Sequence, residues 1–253
     1  MDILDKKKLS ILLKKIKVKN FLKKNNEEIN LEIIKKIKDL SKKEKNKKRK
    51  EQLDLLEKKY DVIKLDLISG EDLTDESFVK KWFKKNHASS LVNCFAINDH
   101  VEKGKKSPTL FDITLKSFSH LLDTNLVSLF SVCREFARNN KSGSIINFSA
   151  TTGIVSARPD LYNGGHKHVG YSVSKAGVIN LTKFLATHLA PNFRVNCVAP
   201  GGVEFNQDKE FVKKYSKHTP LNRMMKKNEL NGIIEFLCSS QSSYVTGATF
   251  VLG

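Results

Sequence analysis

Gly143-Ser-Ile-Ile-Asn-Phe-Ser149 and, further along, Tyr171-Ser-Val-Ser-Lys175 are the two stretches that decide the fold class. The first is a short apolar run rich in β-branched residues, which predicts a buried strand over Ser144–Ser149. The second opens a long segment with helical apolar periodicity, which predicts a helix over Tyr171–Leu189. A buried strand followed by a helix is the repeating unit of a parallel sheet.

The same alternation continues in both directions along the chain. It predicts an α/β protein with a Rossmann-type, doubly wound parallel sheet that carries helices on both faces. The other predicted strands are Val62–Leu67, Ser90–Ala96, Arg194–Val198 and Thr249–Leu252, and the other predicted helices are Leu73–Phe83, Ser117–Asn139 and Lys227–Leu237.

The N-terminal quarter departs from this pattern. We predict one domain over residues 1–253, with a divergent basic segment over 1–60 and a regular part over 61–253. Residues 1–60 contain 21 Lys and Arg against 10 Asp and Glu and no glycine. Weak patterns suggest strands at Leu9–Leu13 and Ile29–Ile34 and a helix over Asp39–Lys59. A charged coil or an independent amphipathic hairpin fits this segment equally well.

The net charge of +18 limits the kinds of partner that the protein is expected to bind. Most of the excess lies in residues 1–60, and we interpret it as a Lys-rich composition rather than as a binding surface. An acidic partner is the alternative. Nucleic acid is not expected, because no zinc-finger spacing or aromatic RNA-binding motif accompanies the charge.

Location and redox state follow from what the sequence lacks. No apolar run approaches the ~20 residues of a membrane helix, and the N-terminus is charged where a signal peptide is apolar. We therefore expect a cytoplasmic protein without a membrane partner. The cysteines form no C-x-x-C pair and are expected to be buried thiols. They are Cys94, Cys133, Cys197 and Cys238.

Tyr171 and Lys175 carry the chemistry of this pattern. A spacing of four places a phenol and an ammonium group on one face of a helix. The cation favours the phenolate, so we expect the pKa of Tyr171 to fall below its ordinary value of about 10. Such a phenol is a usable general acid or base for interconverting an alcohol and a carbonyl.

A series of ordered motifs between residues 61 and 248 resembles the short-chain dehydrogenase/reductase family. The resemblance implies a Rossmann-type fold, an NAD or NADP cofactor, a small-molecule substrate, and a homodimer or homotetramer built through the helices of Asn125 and Tyr171. The matching motifs are Asp66, Leu91-Val-Asn93-Cys94, Asp123-Thr-Asn125-Leu126, Gly143–Ser149, Tyr171 with Lys175, Arg194–Gly201 and Tyr244–Gly247.

The resemblance also implies a role for each matched residue. Tyr171 would exchange a proton with the substrate, Lys175 would bind the nicotinamide ribose, and Asn125 would position a proton-relay water. NAD and NADP are not distinguished, because no acidic or arginine ribose partner can be assigned within Asn30–Ser41. The implied cofactor-binding residues are Asp66, Asn93, Lys175, Pro200, Gly201 and Val203.

One subgroup is more similar still, namely members associated with flagellin modification and nonulosonic-acid or surface-sugar synthesis. That similarity lies in Pro200–Gln207, Phe211, Tyr215, Thr219–Leu221 and Arg223.

The loop before Tyr171 is long, and its residues are candidates to line a pocket for a sugar derivative. A solvated loop is the alternative. No metal is expected, because no carboxylate or third ligand accompanies the two histidines at a recognisable spacing. The loop residues concerned are Tyr162, Gly164, Gly165, His166 and His168.

Three departures from the family bear on activity, one of which is that the sequence stops at Val251-Leu252-Gly253, where the family usually continues through an aspartate and further glycines. The glycine-rich turn that lets a backbone approach a dinucleotide phosphate is absent, and Lys14–Asn20 stands where it would lie. The catalytic serine is expected three residues after Asn147, where this sequence has Ala150. Ser149 should point away from the substrate because strand side chains alternate, so Thr151 or Thr152 would have to replace the hydroxyl.

Three functions remain open at this point. The first is an NAD(P)-dependent oxidoreductase. The second is a degenerate relative that binds no cofactor and acts as a subunit or regulator. The third is a basic adaptor for an acidic partner.

Overall fold

The computed structural model describes residues 61–98, 110–162 and 166–253. The chain divides between Lys64 and Leu65, and every helix and strand described below belongs to the unit Leu65–Gly253. Four parallel strands form one sheet in the order β1-β2-β3-β4, so each strand pairs with the next along the chain. The strands are β1 Ser90–Asn93, β2 Gly143–Phe148, β3 Phe193–Pro200 and β4 Thr249–Leu252.

Helices make the crossovers that parallel pairing requires. A π-helical segment, Asp123–Val127, joins α2 to α3 into one continuous rod. Within the described ranges, no helix is both long and apolar enough to cross a bilayer. The α-helices are α1 Glu76–Phe83, α2 Leu115–Leu122, α3 Ser128–Asn139, α4 Val169–His188, α5 Lys209–Ser216 and α6 Asn231–Cys238.

The sheet is covered on both faces because neighbouring strand residues point to opposite sides. Ile145 belongs to one apolar cluster, which includes residues of α1, α3 and α4. Ile146 belongs to a second cluster, which includes Leu237 and other residues of α6. The predicted doubly wound α/β fold is therefore confirmed.

A buried polar chain ties β1, β2 and α4 together beneath the carboxyl end of the sheet. Asn93 Nδ2 donates to Asn147 Oδ1 at 2.9 Å, and Asn147 Nδ2 donates to Thr182 Oγ1 at 3.0 Å. All three side chains are buried. A buried amide must be hydrogen-bonded to be tolerated. This series of hydrogen bonds therefore specifies how α4 packs on the two strands.

Several predicted elements need correction. The predicted strand Val62–Leu67 is wrong: residues 61–66 form no strand, and Leu67–Ser69 is a 3-10 turn. The backbone there is satisfied locally, since Ser69 N donates to Asp66 O at 2.8 Å. The helix α5, Lys209–Ser216, was not predicted.

The cysteines were only partly predicted correctly. Cys133 and Cys197 are buried thiols, Cys238 is partly buried, and Cys94 is exposed. Cys94 follows Asn93, whose side chain is buried, so alternation at the strand end turns the thiol outward.

Candidate active site

The candidate site lies at the carboxyl end of the sheet, where β2 gives way to the 3-10 turn Thr151–Gly153 and α4 begins. Open α/β sheets place their ligands at this edge. Tyr171 and Lys175 lie in the first two turns of α4, and Asn125 reaches the same helix from the π-helical segment.

Lys175 is held against the end of β2. Its side chain is 4% exposed, and Nζ donates to the carbonyl of Phe148 at 2.7 Å. Burial lowers the pKa of Lys175 to about 8 because desolvation penalises the ammonium form. Gly153 makes this approach possible, since a Cβ there would lie 2.6 Å from the carbonyl carbon of Lys175.

Tyr171 lies against two ammonium groups. Lys175 Nζ is 5.8 Å from the centre of its ring, and Lys167 Nζ is only 4.2 Å from it. The expected lowering of the phenol pKa is nevertheless wrong for this structure. Burial raises the pKa of Tyr171 to about 12, and the nearby phenol of Tyr162 acts in the same direction. Desolvation of the phenol is therefore the dominant influence on its pKa.

Asn125 uses its amide to join segments of the protein. The side chain is 2% exposed, and Oδ1 accepts from Ile97 N at 2.8 Å. Both amide protons are used as well, one on Ile97 O at 3.0 Å and one on Ser174 Oγ at 3.1 Å. The amide therefore positions α4 beside residue 97 and has no N–H left for a water. A π-helical insertion at this point is common at functional sites.

The hydroxyl groups after β2 are arranged as alternation requires. Ser149 is 3% exposed, and its Oγ donates to Lys175 O at 2.7 Å. Ala150 follows and carries no hydrogen-bonding group. Thr152 Oγ1 is buried and has no hydrogen-bond partner among the described residues. Of the two hydroxyl groups in the turn Thr151–Gly153, only that of Thr152 is buried without a partner among the described residues.

The expected cofactor-binding residues fall into separate places. Asn93 is buried, with its amide spent on Asn147 and on Cys133 Sγ at 3.4 Å. Asp66 accepts from Ile68 N at 3.0 Å in the Leu67–Ser69 turn.

The turn after β3 is built largely from bonds within the protein. Gly201 N donates to Leu252 O at 2.7 Å, and Gly202 N donates to Tyr215 Oη at 2.5 Å. Val203 uses its carbonyl, which accepts from Gln207 Nε2 at 2.9 Å. Hydrogen bonds within the protein therefore hold the turn that starts at Pro200 in place at the end of β3.

Comparison with known proteins places this geometry in a family. The family model described as enoyl-(acyl carrier protein) reductase matches residues 37–252. The chain belongs to the short-chain dehydrogenase/reductase family. Its members are oxidoreductases of the Rossmann type, as the fold and the Tyr171–Lys175 pair indicated.

Curated relatives include two 3-oxoacyl-(acyl-carrier-protein) reductases. The chain is 35% identical to that of Aquifex aeolicus (strain VF5), over 53% of this chain and 54% of the relative. It is 29% identical to that of Chlamydia trachomatis serovar D, over 74% of this chain and 70% of the relative. The chain spans about half the length of the first curated relatives it matches.

A solved short-chain dehydrogenase from Leptospira borgpetersenii serovar Hardjo-bovis, with bound NAD+, has the same fold. It is 32% identical, with a TM-score of 0.65, and the match covers 72% of this chain and 71% of that one.

The described residues of the loop before Tyr171 make contacts within the protein. His168 begins α4, with Nδ1 accepting from Gly170 N at 3.0 Å and Nε2 3.2 Å from Ser117 Oγ. It therefore serves the short-chain dehydrogenase/reductase fold rather than a pocket. Tyr162 packs on Phe211, with ring centres 6.2 Å apart. Gly164 and Gly165 lie outside the described residues.

Sequence reasoning missed Lys167. It precedes Tyr171 by four residues, the same spacing by which Lys175 follows it, and that spacing was the signal that could have found it. Lys167 was passed over because it comes before the helix begins, where spacing alone predicts no contact. The expected phosphate-binding turn at Lys14–Asn20, the possible ribose partners in Asn30–Ser41 and the other assignments in residues 1–60 lie outside the described residues.

Proposed function

We propose that this protein is an NAD(P)-dependent oxidoreductase that interconverts an alcohol and a carbonyl. The observation that carries the proposal is the pair of Tyr171, which is partly buried, and Lys175, which is buried, at the carboxyl end of a parallel sheet. The Leptospira relative holds NAD+, which supports the cofactor class.

The residues around Lys175 fit a dinucleotide of this kind. An ammonium group has three donors, and Phe148 O takes one of them, which leaves two for the hydroxyls of a ribose. Pro200, Gly201 and Val203 would form the wall beside the nicotinamide. Bound NAD(P) would supply or accept the hydride.

The chain's own residues would handle the proton. With a pKa raised to about 12, Tyr171 is protonated at neutral pH and can donate to the oxygen of a carbonyl that is being reduced. The ammonium groups of Lys175 and Lys167 then stabilise the phenolate that remains. Asn125 acts through position, because its amide holds Ser174 one residue before Lys175.

We further propose a sugar derivative as the substrate. Tyr162, Phe211 and Tyr215 form a run of contacting rings, with centres 6.2 and 5.9 Å apart, and Tyr162 is also near Tyr171. Aromatic rings with polar tips suit the mixed surface of a sugar. The similarity of Pro200–Gln207 to flagellin-modification and nonulosonic-acid members motivates the same substrate class. A 3-oxoacyl thioester, the substrate class of the named relatives, is the competing choice.

A degenerate relative that no longer catalyses is the second candidate, and Ala150 is the observation that favours it. Loss of a hydrogen-bond donor aimed at a reacting oxygen costs about 10²–10³ in rate. In that case the fold would serve as a subunit or regulator.

The test begins with titration of NADH and NADPH, followed by fluorescence. We expect saturable binding of at least one, and no binding up to on the order of 1 mM would refute the oxidoreductase. Turnover of sugar alcohols and of a 3-oxoacyl thioester is then measured for the wild type and Tyr171→Phe. The variant should bind cofactor normally and lose turnover. A variant with full turnover would remove Tyr171 as the acid.

We also propose a cytoplasmic homodimer or homotetramer. Large apolar side chains are exposed along the helices that carry Asn125 and Tyr171, and such surface commonly marks an interface. Sedimentation of the intact protein measures the state directly, and a monomer at all concentrations would contradict the proposal. The exposed side chains are Leu115, Val127, Phe130, Val173 and Phe184.

A further inference from the structure

Lys167 is a second lysine at the catalytic tyrosine, and the family pattern assigns it no role. Its Nζ lies 4.2 Å from the centre of the Tyr171 ring, closer than the 5.8 Å of Lys175. Burial lowers the pKa of Lys167 to about 8, and the charge of Lys175 adds to that effect. Two desolvated cations therefore face one phenol.

No acid balances Lys167 among the residues that the structure describes. Asp160, the described acid nearest to it in sequence, is engaged elsewhere. Its Oδ1 lies 3.2 Å from Arg158 Nε, and its Oδ2 lies 3.1 Å from His218 Nε2. Buried charges in proteins are normally paired, because an unpaired ion loses its hydration without compensation.

The position of Lys167 is set by its two neighbours. His168 is fixed at the start of α4 by its bonds to Gly170 N and Ser117 Oγ. His166 Nδ1 lies 3.0 Å from the carbonyl of Lys167, while its Nε2 is buried without a hydrogen-bond partner among the described residues. The segment thus carries a cation and, on the preceding residue, a buried polar atom that is not satisfied within the described residues, as a binding site for a polar ligand would.

Lys167 reaches Tyr171 from the segment that precedes α4, whereas Lys175 lies within α4. Lys175 follows Tyr171 by four residues and reaches Phe148 O, where the proposed function puts the cofactor ribose. Lys167 precedes Tyr171 by four residues, in the loop that also carries Tyr162.

We propose that Lys167 binds an anionic group of the substrate, a carboxylate or a phosphate held beside the carbon whose oxygen meets Tyr171. The inference deepens the proposed function and depends on it for the identity of the ligand as substrate. The inference restricts the proposed substrate to sugar derivatives that carry an acidic group.

Anion binding is measured first, without turnover, on the full-length protein. Malonate and inorganic phosphate are titrated by calorimetry at constant ionic strength, with wild type, Lys167→Gln, Lys167→Arg and Lys183→Gln compared. Lys183 is an exposed lysine on α4 and is the matched control. We expect binding to weaken at least about tenfold in Lys167→Gln and to persist in Lys167→Arg and Lys183→Gln.

The two probes separate the two chemistries. Preference for malonate identifies a carboxylate, and preference for phosphate identifies a phosphoryl group. Equal binding by wild type and Lys167→Gln overturns the proposal, as does the absence of binding to both anions in the wild type up to on the order of 50 mM.

Kinetics and cofactor titration distinguish this inference from the proposed function. For any anionic substrate found, Lys167→Gln should raise KM at least about tenfold, while the Kd for NADH or NADPH stays within about twofold of wild type. An unchanged KM in Lys167→Gln would contradict the anion site and would leave the proposed oxidoreductase function standing. Anion binding through Lys167 in a protein that binds no cofactor upholds the site and refutes the oxidoreductase.

Discussion

The hydroxyl of Ser149 donates a 2.7 Å hydrogen bond to the backbone carbonyl of Lys175. This bond joins α4 to the end of β2 within the candidate site. The hydroxyl of Ser149 is thereby used in a structural bond, and the position at which the family pattern predicts a catalytic hydroxyl is occupied by Ala150.

Ala150→Ser is therefore expected to raise the rate. A hydroxyl at this position can donate to the reacting oxygen, and such donors contribute about 10²–10³ in kcat. Steady-state kinetics on any substrate that the wild type turns over measures the gain. Ala150→Cys is the control, since it adds a group of similar size that donates poorly. An unchanged kcat in Ala150→Ser would mean that Thr152, or no hydroxyl at all, serves the reaction.

Asn147→Ala is expected to destabilise the protein by about 1–3 kcal/mol. The substitution removes two buried hydrogen bonds, one to Asn93 and one to Thr182, and leaves a space where the Asn147 amide had been. Urea unfolding measures the free-energy difference. Asn180→Ala, on the exposed face of α4, should change stability by no more than about 0.5 kcal/mol. Equal effects at the two positions would contradict a stabilising role for the buried chain.

Replacing two glycines by alanine should change the stability of the protein in opposite directions. At Gly153 a Cβ would lie 2.6 Å from the backbone of Lys175, so Gly153→Ala should destabilise the protein and lower cofactor affinity. At Gly232, within α6, an added Cβ would meet no neighbouring atom within 4 Å. Gly232→Ala should therefore stabilise by about 0.5–1 kcal/mol through helix propensity. Thermal unfolding measures both, and a tolerated Gly153→Ala would show that the turn can move away from Lys175.

Stability should depend on pH through Lys175. Its pKa of about 8 in the folded protein lies below the ordinary 10.5, so the unfolded chain binds the proton more strongly between these values. The penalty of burying the ammonium group is thus present in full below pH 8 and is relieved as pH rises toward 10.5.

Lys175→Met tests this sign. The stability of wild type minus that of the variant should increase from pH 8 to 10.5, by up to a few kcal/mol. Urea unfolding at several pH values supplies the difference, and Lys183→Met is the exposed control, for which the difference should stay flat. A difference that falls with rising pH would show that the buried ammonium is stabilised rather than penalised.

Local sequence patterns predicted the four strands of the sheet. The apolar run Thr249–Leu252 was predicted with the bounds that β4 has. The predicted strand Val62–Leu67 failed because Asp66 caps a 3-10 turn instead, a competition between side-chain and ladder hydrogen bonds that apolar periodicity does not register. The helix α5 was missed because it is short and mostly polar: its apolar residues are Phe211, Val212 and Tyr215, and none of them is fully buried.

The sequence by itself determined the α/β class and the helical spacing of Tyr171 and Lys175, because both follow from short-range periodicity along the chain. Only the tertiary structure decided what surrounds that pair. Burial raised the pKa of Tyr171 that spacing alone predicted to fall, Asn125 spent its amide on Ile97 and Ser174, and Lys167 came to lie on the tyrosine ring. Desolvation and long-range contacts depend on segments brought together by folding, and these set the chemistry of a site that the sequence had only located.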